Sequence, residues 1–272
     1  MIVFFALLPA YFLSIFYRSF LSVIAGPVMS DLALGPREFG MMGAAWFIAF
    51  AASQFPVGWA LDRIGPRRTV ATTMALGSLG AFLFANATNA ATATAAMALI
   101  GVGCAPIFMA ALFLFARTMP PARFAVLTSV VIGLGSLGNI VGAAPLAIAA
   151  ARFGWRPSML AMAAAFAAAT LLAALLLRDP PRAEQESGKA EGLIEGLASI
   201  LRLRSLWLLA PITLTGYAIL ATVRGLWIAP YMSGVHGLDA VSAGNAATAM
   251  AVAMVAGAFI YGGLEKAVRR TK

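Results

Sequence analysis

The chain has 272 residues, 62% hydrophobic and only 11% charged, with a formal net charge of +9 and a mean hydropathy of +0.91. Soluble domains carry about a quarter charged residues, so this composition excludes a soluble fold and points to an all-α membrane protein with several spans. The positive charge does not mark a nucleic-acid binder, because the basic residues cluster in short turns between apolar spans.

The first helix is expected over residues 2–29, bent near Pro9 and ended by Gly26-Pro27. It has no basic segment before it and is too long for a signal-peptide core, so it reads as a retained span. Further helices are expected over about 39–61, 70–85, 93–116, 124–150 and 158–177. Turns at 30–38, 86–92 and 153–157 join them on one side, and turns at 62–69 and 117–123 on the other. The fifth helix carries Gly133, Gly135, Gly138 and Gly142, small residues that favour close helix contact. The polar stretch 178–204 holds five basic and five acidic residues and an amphipathic run, and reads as a linker. Two more helices are expected over about 206–232 and 241–264, before a basic tail. The resulting division is a six-helix bundle over 1–177, a cytoplasmic linker over 178–204 and a partial second bundle over 205–272.

Fourteen of the 19 Lys and Arg residues fall in the linker, the tail and the turns of one side, against Arg37, Arg152 and Arg156 on the other. Cationic loops resist translocation, which puts the basic side and the N-terminus in the cytoplasm, as in a bacterial inner membrane. Cys104 is the one cysteine and excludes an intrachain disulfide; His236 is the one histidine. No metal-ligand cluster, cofactor motif or nucleophile–base–acid set is visible, so neither a cofactor nor an enzymatic activity is expected.

The turn between helices 2 and 3 is the most specific stretch. Gly65 and Pro66 make it tight, and Gly58 lets a neighbouring helix come close. The ordered set Gly58, Leu61, Asp62, Arg63, Gly65, Arg67 and Arg68 resembles the loop between helices 2 and 3 of the major facilitator superfamily of membrane transporters. That resemblance implies two six-helix bundles, alternating access and a lipid bilayer as surroundings. It also implies that Gly58, Asp62, Arg63, Gly65, Arg67 and Arg68 form a cytoplasmic gate element, in which Asp62 and its basic neighbours hold the bundle ends together. Part of that contact comes from helix 11 of the family, so in this chain Asp62 is left to pair with Arg63 or Arg67 at the surface.

A parallel internal repeat supports the same plan. Tyr11 and Arg18 are matched by Tyr217 and Arg224, Gly40 and Gly58 by Gly244 and Gly262, and Arg67-Arg68 by Arg269-Arg270. Six helices in the first half predict six in the second, where two are visible, so the sequence reads as a fragment of the full fold.

Arg18 and Arg224 are the ionisable residues inside predicted spans. A charge at a helix centre costs about 2.5–3.5 kcal/mol on insertion scales, so such residues normally face a bundle interior or a wet cavity. Two guanidiniums converging between the bundles would hold a carboxylate or phosphate. The plainer alternative is that each snorkels or bonds to backbone carbonyls nearby. None of the ten acidic residues falls within a predicted helix interior, which tilts the substrate towards an anion. Tyr11, six intervening residues and Arg18, followed by Gly26-Pro27, look like helix 1 of the organophosphate/phosphate antiporters and related organic-anion symporters. In those antiporters an Arg of helix 1 and one of helix 7 bind the phosphate group together. Trp227 and Pro230 lie closer to Arg224 than in that family's helix 7.

Tyr11, Tyr17, Tyr217 and Trp227 are candidates to line the cavity, or else interfacial anchors, and Asn139 a candidate for a bond between helices. The expected partner is thus a small-molecule substrate, an organic anion moved by alternating access, with the coupling ion and direction left open. A proton-coupled drug or metabolite exporter, a non-transporting ligand sensor and an inactive remnant are the alternatives.

Overall fold

In a computed structural model, residues 2–179, 202–253 and 256 are described; they are almost wholly helical, with no strand among them. The linker between 179 and 202 and the repeat partners Gly262, Arg269 and Arg270 lie outside the described residues. Among the described residues there are twelve α-helices: α1 (Ile2–Ser19), α2 (Ala25–Asp31), α3 (Pro36–Arg63), α4 (Pro66–Ala85), α5 (Ala90–Thr118) and α6 (Pro121–Gly135), then α7 (Leu137–Val141), α8 (Ala144–Phe153), α9 (Trp155–Leu176), α10 (Arg204–Thr222), α11 (Ile228–His236) and α12 (Ala240–Ala253). Among the described residues six segments are long and apolar enough to cross a membrane, the longest being α5 at 29 residues. At 1.5 Å per residue that is about 43 Å, more than the roughly 30 Å hydrocarbon core. The molecule is an integral membrane protein.

Helix ends follow local chemistry, and α3, α4, α5 and α9 each start about three residues before the expected limit. Pro36 and Pro66 open α3 and α4 at first-turn positions, where a missing N–H costs nothing. Asn89 caps α5 by accepting the Thr92 N–H at 2.9 Å, with Thr92 bonding back. Gly65 turns α3 into α4 at φ +104°, a left-handed conformation that favours glycine.

Three expected helices are interrupted: helices 1 and 5, and the helix expected over 206–232, which has a π-helical stretch at Val223–Trp227. Helix 1 was expected to bend at Pro9 and end at Gly26-Pro27. Instead Pro9 lies within α1, the interruption is a 3-10 turn at Phe20–Ser22, and α2 runs through Pro27 to Asp31. Pro27 stands in the first turn of α2, where its lack of an N–H is harmless. Ser22 Oγ donates to the Ser19 carbonyl at 3.1 Å, serving one of the acceptors released at the break. Helix 5 divides into α6, α7 and α8 at Ser136 and at Gly142-Ala143, just before Pro145. The Ala144 N–H released there donates to Thr248 Oγ1 of α12 at 3.2 Å.

The core forms around α5. A Cβ at Gly103 would lie 2.7 Å from the Gly77 nitrogen, so α4 and α5 cross almost backbone to backbone. At Gly101 the carbonyl of Trp46 takes the Cβ space, bringing α3 equally close. Phe16, Tyr17, Phe20, Phe84, Phe115 and Phe166 are fully buried among these helices. At the end away from the Arg-rich turn, Asp31 accepts the Trp155 Nε1–H at 3.2 Å and pairs with Arg156 at 2.9 Å, and Arg156 also donates to the Ala85 carbonyl. That clasp ties α2, α4 and α9 together.

Candidate binding site between helices 1, 2 and 7

Arg18 lies within the apolar span Phe4–Ser22, 14 residues after its start and four before its end. Its guanidinium carbon sits 5.3 Å from the Phe50 ring centroid and 5.6 Å from that of Trp46. Those two rings stack at 5.1 Å because they stand four residues apart on one face of α3. Two aromatic faces therefore offset part of the cost of a cation within an apolar span, a contribution of about 2 kcal/mol for a desolvated contact. Neither Trp46 nor Phe50 was among the sequence candidates; their spacing of four in helix 2 was the available signal.

Helix 7 reaches this place through a π-helical stretch, Val223–Trp227, between α10 and α11. π turns insert an extra residue and often mark functional positions. Gly225 packs directly on helix 1: a Cβ there would lie 3.0 Å from the Arg18 carbonyl oxygen. Leu226 fills the space over Gly43 of α3, and Trp227 meets Phe39 edge-on at 6.1 Å. The backbone of residue 224 is thereby brought beside Arg18. The side chains of Arg224 and Tyr217 lie outside the described residues.

The remaining candidates separate. Tyr11 shares the face of α1 with Arg18, two turns away, and stacks on Phe108 of α5 at 5.2 Å. Tyr17 points the other way, is 1% exposed and stacks on Phe166 of α9 at 5.3 Å, inside the bundle core. Trp227 is partly exposed beside Phe39. Asn139 bonds Ser19 at 3.3 Å, between α7 and the end of α1.

At the Arg-rich end the expected partners of Asp62 are replaced. Its carboxylate pairs with Arg117, the last-turn arginine of α5, at 3.6 Å, because the close α3–α5 crossing brings those helix ends together. Arg117 also lies 4.1 Å over the Phe113 ring. Arg67 turns elsewhere: its backbone N–H donates to Asp179 at 2.8 Å and its Nε–H to the Ala174 carbonyl at 2.8 Å. Gly58 faces Met109 of α5, Gly65 faces Asp179, and Arg63 and Arg68 are exposed. Arg117 and Asp179 were not singled out from sequence, since their role depends on which helix ends become neighbours.

The family follows from comparison. Residues 7–271 match the Major Facilitator Superfamily, and the chain belongs to that family. It is 23% identical over 171 residues to "Probable sulfoacetate transporter SauU" of Cupriavidus necator, covering 63% of this chain and 40% of that protein. It is 30% identical over 171 residues to "Probable anion transporter 5" of Arabidopsis thaliana, covering 62% of this chain and 40% of that protein. Among solved structures, a bacterial homologue of the human lysosomal transporter Spinster, inward-facing and unoccupied, aligns with a TM-score of 0.75 at 18% identity, over 97% of this chain and 62% of that one. The nucleoside transporter NupG aligns with a TM-score of 0.73 at 13% identity, over 95% of this chain and 66% of that one. The chain thus spans about two-fifths of the curated relatives' length in those alignments and somewhat under two-thirds of the Spinster homologue.

Proposed function

We propose that this chain belongs to a secondary transporter that moves a small organic anion by alternating access, with Arg18 and Arg224 as the anion-binding pair. The observation that carries the reading is the approach of Gly225 to the Arg18 carbonyl, which brings the two arginine-bearing segments together. Carboxylate, sulfonate and phosphate groups each offer oxygens that a guanidinium fork binds in pairs. The names of the two curated relatives, one a sulfoacetate and one an anion transporter, support the same substrate class.

Tyr11 continues the site along α1, and Tyr217 and Trp227 continue it along helix 7. We assign residues 1–177 and 205–272 to the two bundles and 178–204 to the cytoplasmic linker between them. The contacts of helices 7 and 8 at Phe39, Gly43, Ala144 and Ala147 lie on the half away from the Arg-rich turn. That arrangement corresponds to the closed outer half of an inward-facing state. Gly58, Asp62, Arg63, Gly65, Arg67 and Arg68 then belong to the cytoplasmic gate, opposite this closure.

Titration of the purified 272-residue chain with sulfoacetate and with a neutral analogue of similar size tests the site. Saturable binding of the anion alone, weakened by Arg18→Gln, is expected; equal binding by that variant sinks the assignment. Sulfoacetate flux into vesicles then separates a transporter from a sensor that binds without moving its ligand.

A further inference from the structure

We propose that the groove between α3 and α4 is a binding site for one phospholipid with an anionic head group, seated in the cytoplasmic leaflet. The two helices each pack along α5 and touch each other little, leaving a cleft of about 850 Å³ with Val102 of α5 lining it. One wall is α3 from Ser53 to Ile64. Eleven residues of helix rise about 16 Å, close to half of the roughly 30 Å hydrocarbon core, so the cleft has the depth of one leaflet.

Its walls suit an acyl chain despite their hydroxyl residues. Ser53 donates to the Ala49 carbonyl at 2.7 Å, Thr69 to Gly65 at 2.8 Å, Thr72 to Arg68 at 2.8 Å and Thr73 to Thr69 at 2.7 Å. Each hydroxyl is turned back on its own helix, so the walls present mainly carbon to an occupant. The chemistry changes at the Arg-rich mouth. Arg67 spends its Nε–H on Ala174 and Asp179 holds the Arg67 backbone N–H, while Arg68 is exposed there with no partner found for it among the described residues. A cation on the first turn of α4, above a leaflet-deep apolar cleft, matches a lipid phosphate with its chain below. A free phosphate would use only the mouth.

Native mass spectrometry of the 272-residue chain in detergent reads the occupancy directly. One retained phosphatidylglycerol per chain is expected, in preference to phosphatidylcholine and unaffected by inorganic phosphate. Arg68→Gln should lower retention about fivefold, the effect of one cation beside an anionic membrane surface. Ala60→Phe, which fills the cleft, should lower it as well, with circular dichroism confirming unchanged helix content. Retention unaffected by both variants, competition by inorganic phosphate, or equal retention of phosphatidylcholine would overturn the proposal. So would phosphatidylglycerol binding that appears only after deletion of residues 184–195, since the linker itself would then occupy the cleft.

Discussion

The Asp62 carboxylate stands 3.6 Å from the Arg117 guanidinium, joining the basic ends of α3 and α5. Both side chains are substantially exposed, at 64% and 43%. Water competes for such a pair, so its contribution to stability is about 0–1 kcal/mol. Asp62→Asn should therefore barely move the thermal midpoint in detergent. A large drop would mean that the pair is far better shielded than this geometry indicates.

Arg18 should be intolerant of even a conservative change. Arg18→Lys keeps the charge but loses the planar fork and its contact with the faces of Trp46 and Phe50. Loss of one charge-assisted hydrogen bond of about 1.5–3 kcal/mol predicts sulfoacetate binding weaker by about tenfold to a hundredfold. Calorimetric titration of the two proteins checks it, and matching affinities would remove Arg18 from the site.

Gly101 and Gly43 test backbone against side-chain crowding. A methyl at Gly101 meets the backbone of Trp46 and Phe50, which cannot move without parting α3 from α5. At Gly43 the obstruction is the Leu226 side chain, with both methyls 2.7 Å from an added Cβ. Gly101→Ala should cost about 1–3 kcal/mol, whereas Gly43→Ala should cost less because Leu226 can change rotamer. Thermal unfolding of both variants gives the order, and the reverse order would contradict the packing.

Asp239 supplies the pH-dependent element. Its carboxyl is held below the usual carboxylate range, chiefly by a hydrogen bond from the Ser242 side chain, aided by backbone donors including Val241. A lowered folded pKa contributes stability above the unfolded value of about 3.9 and loses it as pH falls through the folded value. Hydrogen exchange across α12 should accelerate, relative to the intrinsic rate, as pH falls below about 4. In Asp239→Asn that acid-dependent step should vanish.

Much of the fold was legible in sequence because a membrane leaves few solutions for a backbone. Every span must satisfy its own hydrogen bonds, so apolar length announces helices, and Gly65-Pro66 with its basic neighbours marks a turn and the family. The division of helix 5 was not legible: Gly133, Gly135, Gly138 and Gly142 suggested close packing of one continuous helix, but where the helix breaks depends on Thr248 offering a new acceptor for the Ala144 N–H. Likewise the partner of Asp62 was sought among its neighbours in sequence and found on another helix.

Composition, span length and turn chemistry by themselves determined that this is a helical membrane protein of the major facilitator family. The tertiary structure alone decided that Trp46 and Phe50 cradle Arg18, that Gly225 packs on its carbonyl and that Tyr17 turns into the core. The physical reason is that helix formation depends on residues three and four apart, whereas these contacts depend on how helices cross, and crossing is set by small residues distributed over the whole chain.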